Sequence, residues 1–492
     1  MKVFLTNLGC KLNQAENDRL ARDFLAAGHQ LAASLAEADV HVVNSCTVTA
    51  TAASSSRQAA RAAARRTPGT PPRTVLTGCW ATASPAEAAG LPGVDLVVPN
   101  RDKERLLERI ESAFPAARPS PAAPAVPAAL ATPATPAAPP ALAAPAARPG
   151  RGPAPRLPGG HTRAFVKVED GCNMRCAFCI IPATRGRQRS RPLAEVVDEV
   201  RRLALAGYRE IVVTGVQISA YGSSRPAGTA RPGGGPAGPG GPFEPAGPGE
   251  PGDPGEPGGQ RLAGLVRALL AALPATEAPA AARLRLTSIA PWELDGELLA
   301  SWSDRRLCRH LHLSLQSGAT ATLRRMRRPY TAERYRRLVE RVRAAVPGVA
   351  VTTDVIVGFP GETAAEFEES LATVAALRFA KVHVFPFSAR PGTAAAVLPG
   401  ALPAAEIRQR MARMIAAAAR AERQFREAHL GSRATVLWER PKDGRGHGLT
   451  DNYIRVFSPA GAELWNQLCE VELVALAPGG MIGRLPASRS AI

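Results

Sequence analysis

Six of the eight cysteines in this 492-residue chain fall into two sets of three. The first is local: GCNMRCAFC, residues 171–179, holds Cys172, Cys176 and Cys179 with three and then two residues between them. Clustered thiolates bind soft metals, and a structural zinc or an ordinary four-iron cluster takes four protein ligands. Only three are supplied here, so the fourth is missing, comes from elsewhere, or is left open. The second set is dispersed: Cys10 in LGCKLNQ, Cys46 in VNSCTVT and Cys79 in TGCWA. A free cysteine is often a small buried packing residue. Three at equivalent places, each just after an apolar run, are more than packing requires. A catalytic thiol would need one cysteine beside a base, not three repeats, so a metal cluster fits better, again with three ligands.

The elements that must position these thiols alternate between strand and helix patterns. KVFLTN, ADVHVVN and RTVLT are short apolar runs, each followed by a helical stretch. That alternation predicts an α/β fold, here a doubly wound, mostly parallel sheet over residues 1–113. The carboxyl ends of such strands face one crevice, which gathers Cys10, Cys46 and Cys79 at one edge. Six further strands are expected at 163–169, 210–215, 283–289, 310–318, 349–362 and 381–389, with helices between them. They predict a partial (β/α) barrel over 161–428 whose active face lies at the strand C-termini. The cysteine loop, TGVQ, LQSG and GFPGE meet there. Alternating apolar residues with Gly and Asp turns from 429 to 492 predict a small antiparallel β-barrel. Cys308 and Cys469 sit in apolar elements without partner spacing and are expected in the core.

Two stretches cannot enter a core. Residues 114–160 are Ala/Pro-rich and 222–260 Gly/Pro-rich, without periodic bulky side chains, so they read as a disordered linker and a disordered insertion. Lys and Arg exceed Asp and Glu by 61 to 42, a formal charge of +19, which favours a polyanionic partner. The N-terminus turns polar before a signal-peptide core could form, and no run of about 18 apolar residues appears. A cytoplasmic protein with reduced thiols and no membrane contact is expected.

The Cys-x3-Cys-x2-Cys spacing, with Phe178 before the third cysteine and a strand before the first, resembles the radical S-adenosylmethionine enzymes. In that family S-adenosylmethionine chelates the fourth iron and is cleaved to a 5′-deoxyadenosyl radical. A zinc knuckle is the plainer alternative. The stretches LGCKLNQAE, VNSCTVT, TGCWA, CNMRCAFCIIPATRGRQRSRP, HLHLSLQSGATATLRRMRRPYT, DVIVGFPGET and FPFSARPGTAA extend the resemblance to the methylthiotransferases, over the whole chain apart from the two inserts. The resemblance implies two 4Fe-4S clusters, one on Cys172, Cys176 and Cys179, the other on Cys10, Cys46 and Cys79 and carrying the sulfur to be donated. It implies Phe178 against the adenine of S-adenosylmethionine, Thr214, Gly215 and Gln217 near its methionine part, Ser314 and Gln316 at the ribose, and Gly358 close to the cofactor. For each, a strand-end turn or a barrel-layer residue is the competing reading. The C-terminal barrel resembles the TRAM domain, with Lys442, Arg445, Asn452, Tyr453 and Arg455 as RNA contacts. Arg185, Arg187, Arg189 and Arg191 would add phosphate contacts near the barrel mouth.

Family members act on a tRNA adenosine beside the anticodon or on a ribosomal-protein aspartate. GCKLNQAE and GLTDNYIRV look most like the branch that methylthiolates N6-threonylcarbamoyladenosine, with isopentenyladenosine or the ribosomal protein as alternatives. The implied partners are the tRNA anticodon stem-loop and a reductant such as flavodoxin or ferredoxin. A zinc-bearing RNA-binding protein without activity is the reading from another class.

Overall fold

The computed structural model describes residues 1–48, 50–65, 72–115, 161–222, 261–274, 282–442, 444–459 and 462–486. Nearly all of the Ala/Pro-rich and Gly/Pro-rich stretches, and so the linker and insertion expected there, lies outside the described residues.

Three apolar runs of the first segment form the centre of a five-stranded parallel sheet. Its strands are β1 (Lys2–Asn7), β2 (Gln30–Leu31), β3 (Val40–Ser45), β4 (Arg73–Gly78) and β5 (Leu96–Val98), in the order β2-β1-β3-β4-β5. The edge strands β2 and β5 are too short to carry a periodic signal. Helices α1 (Lys11–Ala26), α2 (Ala50–Arg65), α3 (Cys79–Ala83) and α4 (Leu106–Ala113) complete the fold. One face of the sheet packs Val40, Val42 and Val75 against Leu20, Phe24, Leu106 and Ile110. The other packs Val43 and Leu76 against Ala60, Trp80 and Leu91. Because both faces are covered, β3 is buried along its whole length and reads as a continuous apolar run rather than an alternation.

The central segment is a curved, all-parallel sheet. β6 (Arg163–Lys167), β7 (Glu210–Thr214) and β8 (Arg283–Leu286) pair in chain order. β8 runs on into Ser288–Ile289, which pairs with β9 (His310–Leu313), followed by β10 (Ala350–Val357) and β11 (Lys381–Pro386). Among the described residues no pairing joins β6 to β11, so the barrel is partial. Helices α5 (Ile181–Arg185), α6 (Leu193–Leu205), α7 (Leu262–Ala272), α8 (Ala332–Ala345), α9 (Ala364–Leu377) and α10 (Ala404–Glu427) follow the strands. Their apolar stripes, such as Val196, Val200 and Leu203 of α6, recur at helical spacing and meet the strand side chains in the largest core of the molecule. Thr363 and Glu366 form a reciprocal capping box at the start of α9, a local device worth about 1 kcal/mol.

The C-terminal piece is a closed barrel of β12 (Arg433–Trp438), β13 (Gly446–Thr450), β14 (Arg455–Ser458), β15 (Leu468–Ala477) and β16 (Gly480–Arg484), in the order β12-β13-β14-β16-β15. One pair, β14 with β16, is parallel, which departs from the all-antiparallel expectation. Gly448 is required where β13 crosses β12, since a Cβ there would lie 2.3 Å from the Leu437 carbonyl oxygen. This barrel docks on the N-terminal ends of the central strands. Arg283 and Arg285 of β8 bracket the buried Glu210 of β7, each at 2.7 Å, and donate onward to the carbonyls of Thr435, Leu449, Thr450 and Asp451. Cys308 is buried beside this junction, and Cys469 is half-buried on β15.

Candidate active site

The loop after β6 delivers three thiols together because it is tied at both ends. Glu169–Asp170 pairs with Arg189–Ser190, and the Cys172 amide donates to the Gly186 carbonyl at 3.1 Å. Gly171 turns the chain at φ +77°, where a Cβ would sit 2.1 Å from the Arg187 carbonyl oxygen, so only glycine fits. Further along, Cys179 N donates to Cys176 O at 3.1 Å. Burial pushes the Cys172 thiol up to about 11 and the Cys179 thiol to about 12, and neighbouring thiols of the loop add to both. A cation compensates at the remaining sulfur of the loop: Arg328 Nη1 lies 3.4 Å from Cys176 Sγ, with its guanidinium stacked on Trp292 and Tyr330.

The second set assembles across the N-terminal sheet. Cys10 lies three residues past β1, Cys46 follows β3 directly, and Cys79 opens α3 after β4. Gly9 and Gly78 let these turns close up: a Cβ on Gly9 would touch Cys46 Cβ at 3.0 Å, and one on Gly78 would strike the Ser45 carbonyl at 2.3 Å. Cys46 and Cys79 are buried, while Cys10 is exposed. Burial raises the Cys46 thiol, and Cys79 and Cys10 add to the rise, so the three sulfurs lie in each other's field.

The donor chemistry of both triads suits a four-iron cluster. Weak donors already face the sulfurs, as thiolate ligands need: Met174 N at 3.4 Å from Cys172 Sγ, and Asn100 Nδ2 at 3.6 Å from Cys79 Sγ.

A buried charge network joins the two triads. Glu16 of α1 accepts from Lys103 at 2.7 Å, Arg185 at 2.8 Å and Lys167 at 3.3 Å. Arg185 follows the Cys179 loop and also donates to Asp170 and to Asn13, the residue that accepts from Cys10 Sγ at 3.8 Å. Asn100, against Cys79, also donates to the Thr184 carbonyl at 3.0 Å. Arg185 therefore faces inward. Its expected phosphate contact is corrected, because two carboxylates hold its guanidinium in a low-dielectric site. Arg191 is likewise engaged, with Glu199 at 2.7 Å and the Lys167 carbonyl. Arg187 and Arg189 are exposed.

The remaining expected residues divide by environment. Gln217 Oε1 lies 3.2 Å from Cys172 Sγ, and its Nε2 donates to Glu293. Thr214 is buried, and Gly215 admits Glu169, whose carboxylate oxygen would lie 3.0 Å from a Cβ there. Phe178 packs on Ala177, Met326, Phe359 and Ala395 beside the cysteine loop. The Ser314 carbonyl accepts from Tyr330 and Arg328, and Gln316, at φ +66°, continues the pairing of β9 with β10 through Asp354 and Ile356. Gly358 also has a packing reason: a Cβ there would meet Ile407 of α10 at 2.7 Å. In the C-terminal barrel Lys442, Arg445 and Arg455 are exposed. Asn452 is buried and bonded to Thr450 and the Gly348 carbonyl, which corrects its assignment as an RNA contact. Tyr453 turns into the central barrel, stacks on His310 at 4.4 Å and receives Lys11 over its ring at 5.4 Å. Sequence reading missed Glu169 and Glu293. Burial lifts the Glu169 carboxyl to about 8, and its position just before the cysteine loop was the one available signal.

Comparison with known proteins agrees with this geometry. Residues 166–374 match the Radical SAM superfamily and residues 2–99 the uncharacterized protein family UPF0004. The chain is 31% identical to the threonylcarbamoyladenosine tRNA methylthiotransferase MtaB of Bacillus subtilis, over 96% of this chain and 93% of that protein. It is 34% identical to the ribosomal protein uS12 methylthiotransferase RimO of Roseiflexus castenholzii, covering 92% and 86%. It is 31% identical to a tRNA-2-methylthio-N(6)-dimethylallyladenosine synthase of Cereibacter sphaeroides, covering 98% of each. Among solved structures, a radical S-adenosylmethionine methyltransferase of Kitasatospora setae shares the fold, with a TM-score of 0.51 and 18% identity over 81% of this chain and 74% of that one.

Proposed function

We propose that this chain, which belongs to the radical S-adenosylmethionine methylthiotransferase family, adds a methylthio group to C2 of N6-threonylcarbamoyladenosine beside the anticodon of tRNA. The family's cofactors are S-adenosylmethionine and two 4Fe-4S clusters, and both triads fit them. When bound, the clusters supply the electron that cleaves S-adenosylmethionine and an open iron that presents sulfur. The protein's own part is placement. Arg328 neutralises charge at Cys176, and the Glu16 network holds the two loops in one register. Phe178, Thr214, Gly215, Ser314 and Gln316 are the residues this proposal assigns to S-adenosylmethionine. Arg187, Arg189, Lys442, Arg445 and Arg455 are exposed cations suited to RNA phosphates. No described helix is long and apolar enough to cross a membrane. A cytoplasmic site of action with flavodoxin or ferredoxin as reductant completes the proposal.

One observation carries the choice of substrate. Lys11, next to Cys10, is half-buried over the Tyr453 ring and has no acidic partner among the described residues. The threonylcarbamoyl group ends in a carboxylate, the partner this ammonium lacks. An apolar isopentenyl chain would leave it unpaired at a cost of roughly 1–3 kcal/mol. The test offers reconstituted protein three substrates, tRNA bearing either modified adenosine and ribosomal protein uS12, and reads the products by mass spectrometry. Product mainly on the threonylcarbamoyl tRNA is expected, and preference for either other substrate refutes the assignment.

A further inference from the structure

The central barrel is open between β6 and β11, which no pairing among the described residues joins. A cleft of about 700 Å³ lies at the starts of these two strands. Arg163, the first residue of β6, and Lys381, the first of β11, both line it. Glu422 and Arg426 reach it from α10, and Tyr453 and Arg455 from the C-terminal barrel. The cysteine loop leaves the opposite end of β6, about 17 Å away at the rise of a five-residue strand, so this cleft is separate from the site described above.

Its walls carry more positive charge than they neutralise. Arg163 pairs with Glu439 at 2.9 Å, and Arg455 reaches the same carboxylate only at 3.9 Å. Arg426 donates through Nη1 to Glu422 at 3.1 Å, while its Nε is buried without a partner. Lys381 is exposed and makes no hydrogen bond or ion pair among the described residues. Four cations thus share two carboxylates, which leaves a surplus of two positive charges. Burial alone would raise the Tyr453 phenol, yet Lys11, Arg163 and Arg285 lower it, so the positive field reaches the cleft wall. Like charges gathered around a concavity repel one another, and the concavity focuses their field on an incoming anion. Packing gives no reason to collect such side chains from both domains around an open space.

We propose that this cleft is a phosphate-binding site, in which Arg163, Lys381, Arg426 and Arg455 hold phosphate carrying two negative charges. Guanidinium forks suit phosphate oxygens, and the flexible Lys381 supplies a point charge. Two charges match the surplus on the walls. Inorganic phosphate or a phosphate monoester supplies them, and so do two adjacent phosphodiesters of an RNA backbone. Arg455 belongs to the C-terminal barrel and the other three cations to the central segment, so the bound anion ties the two together. The site needs neither iron cluster nor a particular modified base.

Equilibrium dialysis of the reconstituted full-length protein against inorganic phosphate, at an ionic strength held constant with chloride, tests this. One phosphate per chain is expected. K381Q removes an exposed charge without partners, so it should melt as the parent does and weaken phosphate binding by about fivefold or more. R426Q should act in the same way, and should one of the two melt early, the other decides. R337Q, an exposed cation of α8 outside the cleft, should leave phosphate binding unchanged. A parent that binds no phosphate overturns the inference, and so does a folded K381Q or R426Q that binds like the parent. Equal weakening by R337Q also overturns it, because diffuse surface charge would then be the cause. A second arm measures tRNA binding with and without saturating phosphate, again at constant ionic strength. Competition in the parent that is lost in K381Q identifies the occupant as RNA backbone. A tRNA affinity indifferent to both phosphate and K381Q identifies it as free phosphate or a phosphate monoester.

Discussion

Replacing Glu16 by Gln keeps the shape of the side chain and removes the one negative charge shared by Lys103, Arg185 and Lys167. Burial alone would push the Glu16 carboxyl up, but the three cations together hold it well below the usual range. Asp170 still faces Arg185 and Lys167 after the substitution, whereas the buried Lys103 keeps no carboxylate among the ion pairs seen here. Breaking a buried pair by removing one partner costs about 3–5 kcal/mol. At about 2–4 °C per kcal/mol for a cooperative unit of this size, Tm should fall by roughly 6–20 °C. Anaerobic thermal melts followed by circular dichroism measure this directly. Adding Lys103→Met should recover stability, with a coupling of about 0.5–3 kcal/mol between the two positions. The functional consequence follows from geometry. Glu16 lies six residues after Cys10 and Arg185 six after Cys179, so their contact spaces the two triads. Glu16→Gln should therefore lower the methylthio product formed per 5′-deoxyadenosine released, even where iron content is unchanged. A melt within about 2 °C of the parent, with the product ratio intact, refutes the reasoning.

The triads are separable: Cys176→Ala should abolish 5′-deoxyadenosine and product together, whereas soluble Cys46→Ala should hold about half the iron, still cleave S-adenosylmethionine and make no methylthio product. Full iron content and product from Cys46→Ala would show that the dispersed cysteines are packing residues. Changing Lys442, Arg445 and Arg455 together to Ala should weaken tRNA binding and reduce the slope of log K against log salt by roughly 2–3, measured by filter binding at several ionic strengths. Lys11→Met should raise KM for threonylcarbamoyl tRNA at least tenfold with a smaller change in kcat, while Lys11→Arg retains most of the affinity. His41, buried on β3 with Nδ1 unpartnered, has its pKa lowered to about 4 by burial. The folded state thus binds fewer protons than the unfolded one between about pH 6.5 and 4, so stability falls as pH drops through that window, by about 2 kcal/mol at pH 5. His41→Gln should flatten this dependence in melts at pH 5 and 7.

Sequence reading succeeded where structure follows from local pattern. β3 and β4 are apolar runs with helices on both sides, and the parallel sheet they imply brings Cys46 and Cys79 to one edge without any distant contact being known. The cysteine loop declares its chemistry within nine residues. What stayed illegible is the pairing of charges across the chain. Arg185 reads as one of four arginines in a basic run, and nothing near it announces Glu16, 169 positions earlier. Asn452 reads as an RNA contact until its contacts with Thr450 and Gly348 place it inside the domain junction. Even Gly358, in a turn that looks made for a cofactor, also answers to Ile407 on a helix that arrives 49 residues later. The two kinds of information have different consequences for the reaction. Local motifs point to the groups that would hold iron. The long-range buried charges, Glu16 with Arg185 above all, tie together the segments that carry the two triads. A radical generated at one triad is useful only if the acceptor carbon and the sulfur are already aligned, because an effective molarity gained by orientation is lost with small displacements. The junction residues are therefore where the efficiency of this chain can change without either triad being touched, and they are visible only once the chain is folded.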